Sequence, residues 1–222
     1  MVFALVLITL ALAVSLEVII AKSRKLSSNT LPATLPVFNK SSLHTPEGYY
    51  FSKFHTWALP EENTVKVGID NFAFKALGNI RINEITPEGK SIKAGDTVIE
   101  AEVHGQKINF RSPVSGIIKS VNKLVFNKNI NDVYGEDWGL VIEKDKNPVS
   151  SENLFSGSEA FQWMKSELRR LKDFLNEASF TPQAVGVTMY DGGNFVEGVL
   201  STLAKETIKD FEERFLNEQN NG

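Results

Sequence analysis

Residues 102–116, EVHGQKINFRSPVSG, decide the fold of this chain, because they contain the end of one strand, a turn and a second strand. Apolar and polar side chains alternate in residues 97–103 and again in residues 107–111, which is the pattern of half-buried strands. His104 and Gly105 lie between the two runs, and such a pair is typical of a two-residue turn. The stretch therefore predicts a β-hairpin.

Short strand patterns continue on both sides of this hairpin, from about residue 49 to residue 146. Residues 65–69 (VKVGI) predict a strand, and residues 78–85 alternate again. Between them, Asp70 and Gly78 are suited to begin and end a short helix. Repeated short strands with glycine-containing turns predict a mainly β fold, either a small sandwich or a flattened barrel.

The composition is that of a folded globular protein, with 42% hydrophobic, 10% aromatic and 23% charged residues. The formal net charge of -3 gives no basic surface for nucleic acid, so we expect no nucleic-acid partner. Because the chain has no cysteine, disulfides, cysteine-based zinc sites and thiol catalysis are excluded.

The first residues predict a membrane anchor. Residues 2–20 (VFALVLITLALAVSLEVII) are almost entirely apolar, and about 20 helical residues cross a bilayer core of roughly 30 Å. A cleaved signal peptide is the alternative, but its basic residues would precede the apolar run, whereas Lys22, Arg24 and Lys25 follow it. We predict a retained transmembrane helix over residues 1–21, with the rest of the chain on the cytoplasmic side. Residues 22–47, rich in Ser, Thr, Asn and Pro, are interpreted as a linker in which His44 is solvated.

The C-terminal part, residues 148–222, predicts a helical extension. Amphipathic helix patterns cover residues 158–178 and 195–216, with residues 183–190 as a short strand between them. The first apolar stripe contains Phe161, Met164, Leu168, Leu171 and Leu175. The second contains Val196, Leu200, Leu203, Phe211 and Phe215. These stripes either pack within the protein or bind a partner, whereas the Glu212-Glu213 pair is interpreted as solvated.

The hairpin and its surroundings resemble the H protein of the glycine cleavage system, a family of lipoyl domains. Seven short motifs of that family occur here in order: His55-Thr56-Trp57, Val67-Gly68-Ile69-Asp70, Ala73 with Leu77-Gly78-Asn79, Gly95-Asp96, Ser112-Pro113-Val114-Ser115-Gly116, Asn122, and Val133-Tyr134-Gly135 with Trp138. The resemblance covers residues 48–147 and implies a lipoyl/biotinyl-type hammerhead, which is a flattened barrel-sandwich. With the anchor and the C-terminal helices, the whole chain is expected to be α+β. The motif residues themselves are interpreted as building the fold rather than carrying out chemistry.

The lipoyl attachment site is where the chain departs from this family. In the family the turn carries Glu-Ser-Val-Lys, and the lysine is lipoylated. Counting back from Ser112-Pro113 places Glu102 on the family's glutamate and Gly105 on its lysine. The resemblance therefore implies that the attachment point is lost and that the hairpin holds no cofactor. Lys107 is the nearest remaining amine, and we interpret it as a solvated strand lysine rather than a modified one.

The hairpin tip, made of His104, Gly105, Gln106 and Lys107, is nevertheless the candidate functional site. His104 could titrate or bind a metal, but with His44 and His55 as its only fellow histidines and no cysteine, we predict no metal site. The sequence contains no nucleophile–base pattern and no phosphate-binding glycine loop, so we predict that the chain is not an enzyme.

The function predicted is that of a membrane-anchored, non-catalytic H-protein-like docking or scaffold subunit. Its partners are expected to be membrane-associated proteins, in a complex that is redox-active by analogy of fold alone. The alternative is an unconventional lipoyl carrier of a glycine-cleavage-type system, with Lys107 as the modified residue.

Overall fold

The computed structural model describes residues 36–144, 154–179 and 195–217. The described residues from Val37 onward belong to one compact unit. The predicted anchor over residues 1–21 and the predicted strand over residues 183–190 lie outside the described residues. Among the residues that are described, no helix is both long enough and apolar enough to cross a membrane.

The described chain contains twelve short strands. They are β1 (Val37–Phe38), β2 (Tyr50–Ser52), β3 (Thr56–Pro60), β4 (Thr64–Ile69), β5 (Arg81–Ile85), β6 (Ser91–Ile92), β7 (Thr97–Val103), β8 (Gln106–Arg111), β9 (Gly116–Val121), β10 (Leu140–Lys144), β11 (Leu154–Ser156) and β12 (Phe195–Val196). The α-helices are α1 (Asn71–Leu77), α2 (Gly157–Ser179) and α3 (Lys205–Phe211). Single 3-10 turns cover Lys40–Ser42, Lys123–Val125 and Val199–Thr202, and a π-helical turn covers Glu212–Leu216.

The strands form two main sheets in which neighbours are antiparallel. The larger sheet has the order β11-β2-β3-β4-β10-β9-β6, and the smaller one has the order β5-β7-β8. β1 and β12 pair separately as a two-stranded ribbon. This arrangement confirms the prediction of a mainly β fold with C-terminal helices, and it places the hairpin β7–β8 in the smaller sheet with β8 at its edge.

The family motifs hold loops against the sheets, as expected for residues that build the fold. Trp57 on β3 is fully buried, and its Nε1 donates to the carbonyl oxygen of Val133 at 2.8 Å. The Nδ2 of Asn122 donates to the carbonyl oxygens of Glu136 and Trp138, each at 2.8 Å. An unpaired amide at a buried position would cost stability, so these bonds fix the 133–138 loop.

The short helix α1 begins and ends as predicted. The carboxylate of Asp70 accepts a hydrogen bond from the backbone amide of Ala73 at 2.8 Å, which is an N-cap contact. Gly78 ends the helix with a φ of 77°, a backbone conformation that glycine adopts at low cost.

The first C-terminal helix, α2, confirms both the predicted helix and the interpretation that its stripe packs within the protein. Met164, Leu168, Leu171 and Leu175 are buried in the same core as the strands, and Phe161 is half-buried. Burying one such side chain contributes about 1.5–3 kcal/mol. Helix α2 is therefore a cover of the β-domain.

The second C-terminal helix was predicted as one element over residues 195–216, and this prediction is wrong. The chain instead forms β12, a 3-10 turn, the short helix α3 and the π-helical turn. Gly198 has a left-handed φ of 75°, and Leu203 and Ala204 are extended, so no single helix can pass through them.

The predicted linker over residues 22–47 also includes a folded part. From residue 37 onward the chain belongs to the compact unit, because β1 pairs with β12 and the side chains of Phe38 and Leu43 are buried. The polar residues between these two apolar side chains form a 3-10 turn, in which Asn39 and Ser42 cap each other. His44 is exposed as predicted, and its carbonyl oxygen accepts the hydroxyl of Tyr134.

Candidate functional site

The predicted hairpin is present, with β7 and β8 paired from Thr97 opposite Arg111 to Val103 opposite Gln106. Its two-residue turn consists of His104 with a φ of 51° and Gly105 with a φ of 74°. Two consecutive positive φ angles are typical of a type I′ turn, the form that matches the twist of paired strands. Glycine is favoured at the second position because a side chain there would be strained.

The four residues of the predicted site lie together at this tip, but they form no reactive arrangement. His104, Gly105 and Lys107 are exposed, and Gln106 is half-buried with its amide donating to the Lys107 carbonyl oxygen. The Lys107 side chain is 59% exposed and ion-paired with Glu100 on β7. Lys107 is thus an exposed lysine on β8, and its unmodified state stays a prediction.

The C-terminal part of the chain lies beside the tip, which the sequence did not indicate. We call residues 195–217 the C-terminal strap. A Cβ atom built on Gly105 would lie 3.2 Å from the Nζ of Lys205, the first residue of α3. The ammonium group of Lys205 thus stands over the turn residue that the resemblance places on the lipoyl lysine.

Two further contacts fasten the strap along β8. The Oε1 of Glu212 accepts the backbone amide of Asn109 at 2.9 Å and its Nδ2 at 2.8 Å. Closer to the base of the hairpin, the Nε of Arg111 donates to the Oδ1 of Asn217 at 2.7 Å. Residues 105–111 of an extended strand span about 20 Å, and residues 205–217 of a helix span about 18 Å, so the two segments run side by side.

The other end of the strap is fixed to α1. The amide of Gly198 donates to the carbonyl oxygen of Lys75 at 2.7 Å, and the Lys75 side chain is ion-paired with Glu197. The backbones of Gly78 and Gly198 touch, since a Cβ atom on Gly78 would lie 2.7 Å from the Cα of Gly198. A larger residue at Gly78 would push the strap away, and one at Gly198 would be strained by its φ of 75°.

The interpretation of Glu212 as a solvated side chain is wrong, whereas its neighbour Glu213 is exposed as expected. Glu212 is only 8% exposed because it lies between the strap and β8. The pattern of apolar residues in 195–216 does indicate one face turned toward the protein, but nothing local shows that Glu212 meets the amide of Asn109. A contact between segments so distant in sequence leaves no local signal.

A second cluster, around His55, was missed by the sequence interpretation. His55 is fully buried, its Nδ1 donates to the Oδ2 of Asp70 at 2.8 Å, and its Nε2 lies 3.5 Å from the Oε2 of Glu167. The latter distance is that of an ion pair rather than a good hydrogen bond. The imidazole is stacked between Phe72 and Trp163, with ring centroids 4.4 and 5.0 Å away.

Two carboxylates keep this buried histidine charged. Burial by itself lowers the pKa of His55, but Asp70 and Glu167 outweigh burial and raise that pKa to about 9. Burial raises the pKa of Glu167, but His55 and Arg170 outweigh it, so the net pKa lies below its usual range. At neutral pH the cluster is therefore an imidazolium between two carboxylates. It ties the β3–β4 end of the sheet to helix α2.

The side chain of Arg170 holds the Glu167 carboxylate of the His55 cluster in place. The Nη1 of Arg170 donates to both carboxylate oxygens of Glu167, at 3.0 and 2.8 Å, and its Nη2 donates to the carbonyl oxygen of Arg214 in the strap. A cleft of about 300 Å³ opens beside Glu167 and Trp163. Within the three described ranges, no group of three or more His, Asp or Glu residues is placed to hold a metal ion.

The fold and the hairpin define a class of protein, the lipoyl-type domains. The family model for the glycine cleavage H-protein matches residues 49–167, which takes in the sheets and the first half of α2. The chain is 41% identical over 101 residues to the glycine cleavage system H protein of Coprothermobacter proteolyticus, covering 44% of this chain and 80% of that one. It is 30% identical over 140 residues to the probable glycine cleavage system H protein of Korarchaeum cryptofilum, covering 55% of this chain and 98% of that one.

Among solved structures, the glycine cleavage system H protein of Mycobacterium marinum is similar, with 21% identity and a TM-score of 0.47. The similarity covers 55% of this chain and 98% of that chain. On the evidence of these sequence matches, the protein belongs to the glycine cleavage H-protein family. The match extends beyond residue 147, where the sequence resemblance was expected to end, and stops before the strap.

Proposed function

We propose that this protein is a membrane-anchored, non-catalytic docking or scaffold subunit that carries no lipoyl group on its hairpin. Members of its family usually carry lipoyl groups in glycine cleavage. Gly105 has no amine to form the amide bond, and the ammonium group of the strap residue Lys205 lies beside it. A glycine at the turn, with no amine to acylate, is the observation that carries the proposal. H proteins work by docking onto enzymes, so a member without the arm keeps the docking role.

The mass of the intact protein, purified from its native host, tests this proposal. We expect the mass of the unmodified chain, because the tip offers no lysine at the turn. The competing function is an unconventional lipoyl carrier, which the exposed Lys107 side chain favours. A lipoyl-sized mass increment that maps to Lys107 by peptide sequencing would replace the docking proposal with the carrier. A native H protein from the same host serves as the positive control.

Placing a lysine on the turn tests how closely Lys205 approaches the residue that the resemblance places on the lipoyl lysine. We expect Gly105→Lys to fold but to lose about 1 kcal/mol or more, because the new side chain takes a φ of 74° and meets Lys205. Urea denaturation gives the loss, and Gly105→Asn, which tolerates this backbone conformation, should lose less. If Lys205→Ala returns no stability to the Gly105→Lys protein, the two side chains do not meet.

The membrane anchor is tested separately. Full-length protein expressed in bacteria is expected to sediment with membranes and to resist extraction by salt or alkali, because residues 2–20 are apolar and long enough to span. A chain starting at residue 37 is the control and should remain in the supernatant. Recovery of a soluble species with an N-terminus near Lys22 would show a cleaved signal instead.

A further inference from the structure

The smaller sheet has an edge that a partner strand could use. β8 is the last strand in the order β5-β7-β8, so its outer backbone groups face away from β7. Such an edge is a template for pairing with a further strand, and proteins commonly cover it. Here the cover is the C-terminal strap, and the outward amide of Asn109 is satisfied by the Glu212 carboxylate.

The strap is a cover of an unusual kind. It does not pair with β8 as a strand; it binds through the side chains of Glu212 and Asn217 and places Lys205 over the tip. The residues that hold Glu212 in place form a π-helical turn, Glu212–Leu216. Such turns are rare and recur at functional sites. The apolar side chains of Phe211, Phe215 and Leu216 anchor the same segment in the core.

We propose that the strap is a displaceable cover of the β8 edge and that Glu212 is its latch. A partner docks by pairing an extended segment with β8 once the Glu212 carboxylate has left the Asn109 amide. This inference rests on the docking function proposed above and adds to it the surface, the partner's chemistry and the control of access.

The existing partner of β8 indicates which segments fit the opposite edge. On β7, Glu100 lies opposite Asn109 and Glu102 lies opposite Lys107, while Ala101 and Val103 are buried. Glu100 is ion-paired with Lys107, and Arg111 adds a second positive charge to the same face of β8. Opposite charges on facing strands stabilise pairing. The partner is therefore an extended peptide in which acidic residues alternate with apolar ones.

Hydrogen exchange of the full-length protein tests the latch. Two variants loosen the strap by separate routes: Glu212→Ala removes the contact with β8, and Gly198→Ala strains the other end of the strap, where Gly198 has a φ of 75° and a Cβ would lie 3.1 Å from the Cα of Gly78. In both we expect the outward amide of Asn109 to exchange roughly tenfold faster, while the amides of Ile108 and Phe110, which face β7, and those of β4 and β10 are unchanged. The controls are Glu213→Ala, an exposed neighbour, and Gly89→Ala, which has the same positive φ but open space around it.

Binding of a defined probe tests the partner chemistry. The probe is a fluorescent peptide with the β7 sequence TVIEAEV, and anisotropy should show roughly tenfold tighter binding to Glu212→Ala and Gly198→Ala than to the wild type. The same peptide with lysine at both glutamate positions should bind none of them. Unchanged exchange of the Asn109 amide in both variants, or peptide binding equal to the wild type, would overturn the proposal. Neither result would contradict the proposed docking function. That function would be contradicted instead by a lipoyl group found in the intact mass.

Discussion

A chain that ends at Asn147 is expected to lose its cooperative fold. That truncation removes α2 and the strap, which bury many large apolar side chains against the sheets or against each other, among them Met164, Leu168, Leu171, Leu175, Ile208, Phe211 and Phe215. At about 1.5–3 kcal/mol for each side chain, the loss is as large as the whole stability of a typical domain, about 5–15 kcal/mol. Thermal melting followed by circular dichroism, with size-exclusion chromatography, measures the effect.

A chain that ends at Asn217 is the matched control, because it keeps α2 and every strap contact described above. It should melt at the wild-type temperature and elute as the wild type does. If the chain ending at Asn147 also melted at that temperature, the C-terminal helices would not be a cover of the β-domain. Loss of native membrane partners without loss of folding would then make them the docking surface.

Local patterns explain why the hairpin and helix α2 could be predicted from the sequence. Alternation with a period of two, interrupted by His104-Gly105, specifies two strands and a two-residue turn without reference to the rest of the chain. The apolar stripe of α2 repeats with a helical period from Phe161 to Leu175, within a helix of 23 residues. Asp70 and Gly78 bound α1 through contacts within a few residues. In each case the interactions that fix the element are short-range.

The parts that could not be predicted depend on contacts between distant segments. Phe38 is buried because β1 pairs with β12, and the 195–216 pattern is broken where Gly198 meets Gly78. The Glu212 carboxylate is buried because β8 offers it an amide. The first segment is polar and the second is amphipathic, as the sequence indicates. Tertiary contacts nevertheless overrode the local preference for a linker in the first and for a single helix in the second.

The His55 cluster lies between these two cases. Thr56 pairs with Ile69 in the β3–β4 hairpin, so the next residues outward, His55 and Asp70, must be neighbours. The contact between His55 and Asp70 could therefore have been predicted from the sequence, once the two strands had been predicted. The third member, Glu167, comes from α2, and nothing in the sequence indicates which face of the sheet α2 covers.

Removal of Asp70 is expected to have the second-largest effect on stability. Asp70→Ala leaves the buried imidazolium of His55 with only the Glu167 carboxylate, 3.5 Å away. It also removes the N-cap of α1. Breaking a buried ion pair by removing one partner costs about 3–5 kcal/mol. Urea denaturation at pH 7 measures this loss. Asp173→Ala, an exposed aspartate on α2, should change the stability by less than about 0.5 kcal/mol.

The same cluster should make the stability depend on pH in a direction that its pKa values determine. The pKa of His55 is about 9 in the folded protein and 6.5 as its ordinary value, so folding favours the protonated form. The resulting stabilisation, on the order of 3 kcal/mol, is complete below pH 6.5 and is lost as the pH rises through 9. The lowered pKa of Glu167 acts at the other end, since its contribution is present above its ordinary value of 4.5 and is lost as the pH falls.

Denaturation of the wild type and of Asp70→Asn at pH 6, 8 and 10 separates the charge of Asp70 from its capping role. Asparagine is also a good N-cap residue, so Asp70→Asn keeps a cap on α1 while it removes the largest carboxylate effect on His55. We expect the wild type to lose stability between pH 6 and 10, whereas the less stable variant should change much less. Parallel curves for the two proteins would mean that His55 is not held as an imidazolium by Asp70, because their difference would then not involve a proton.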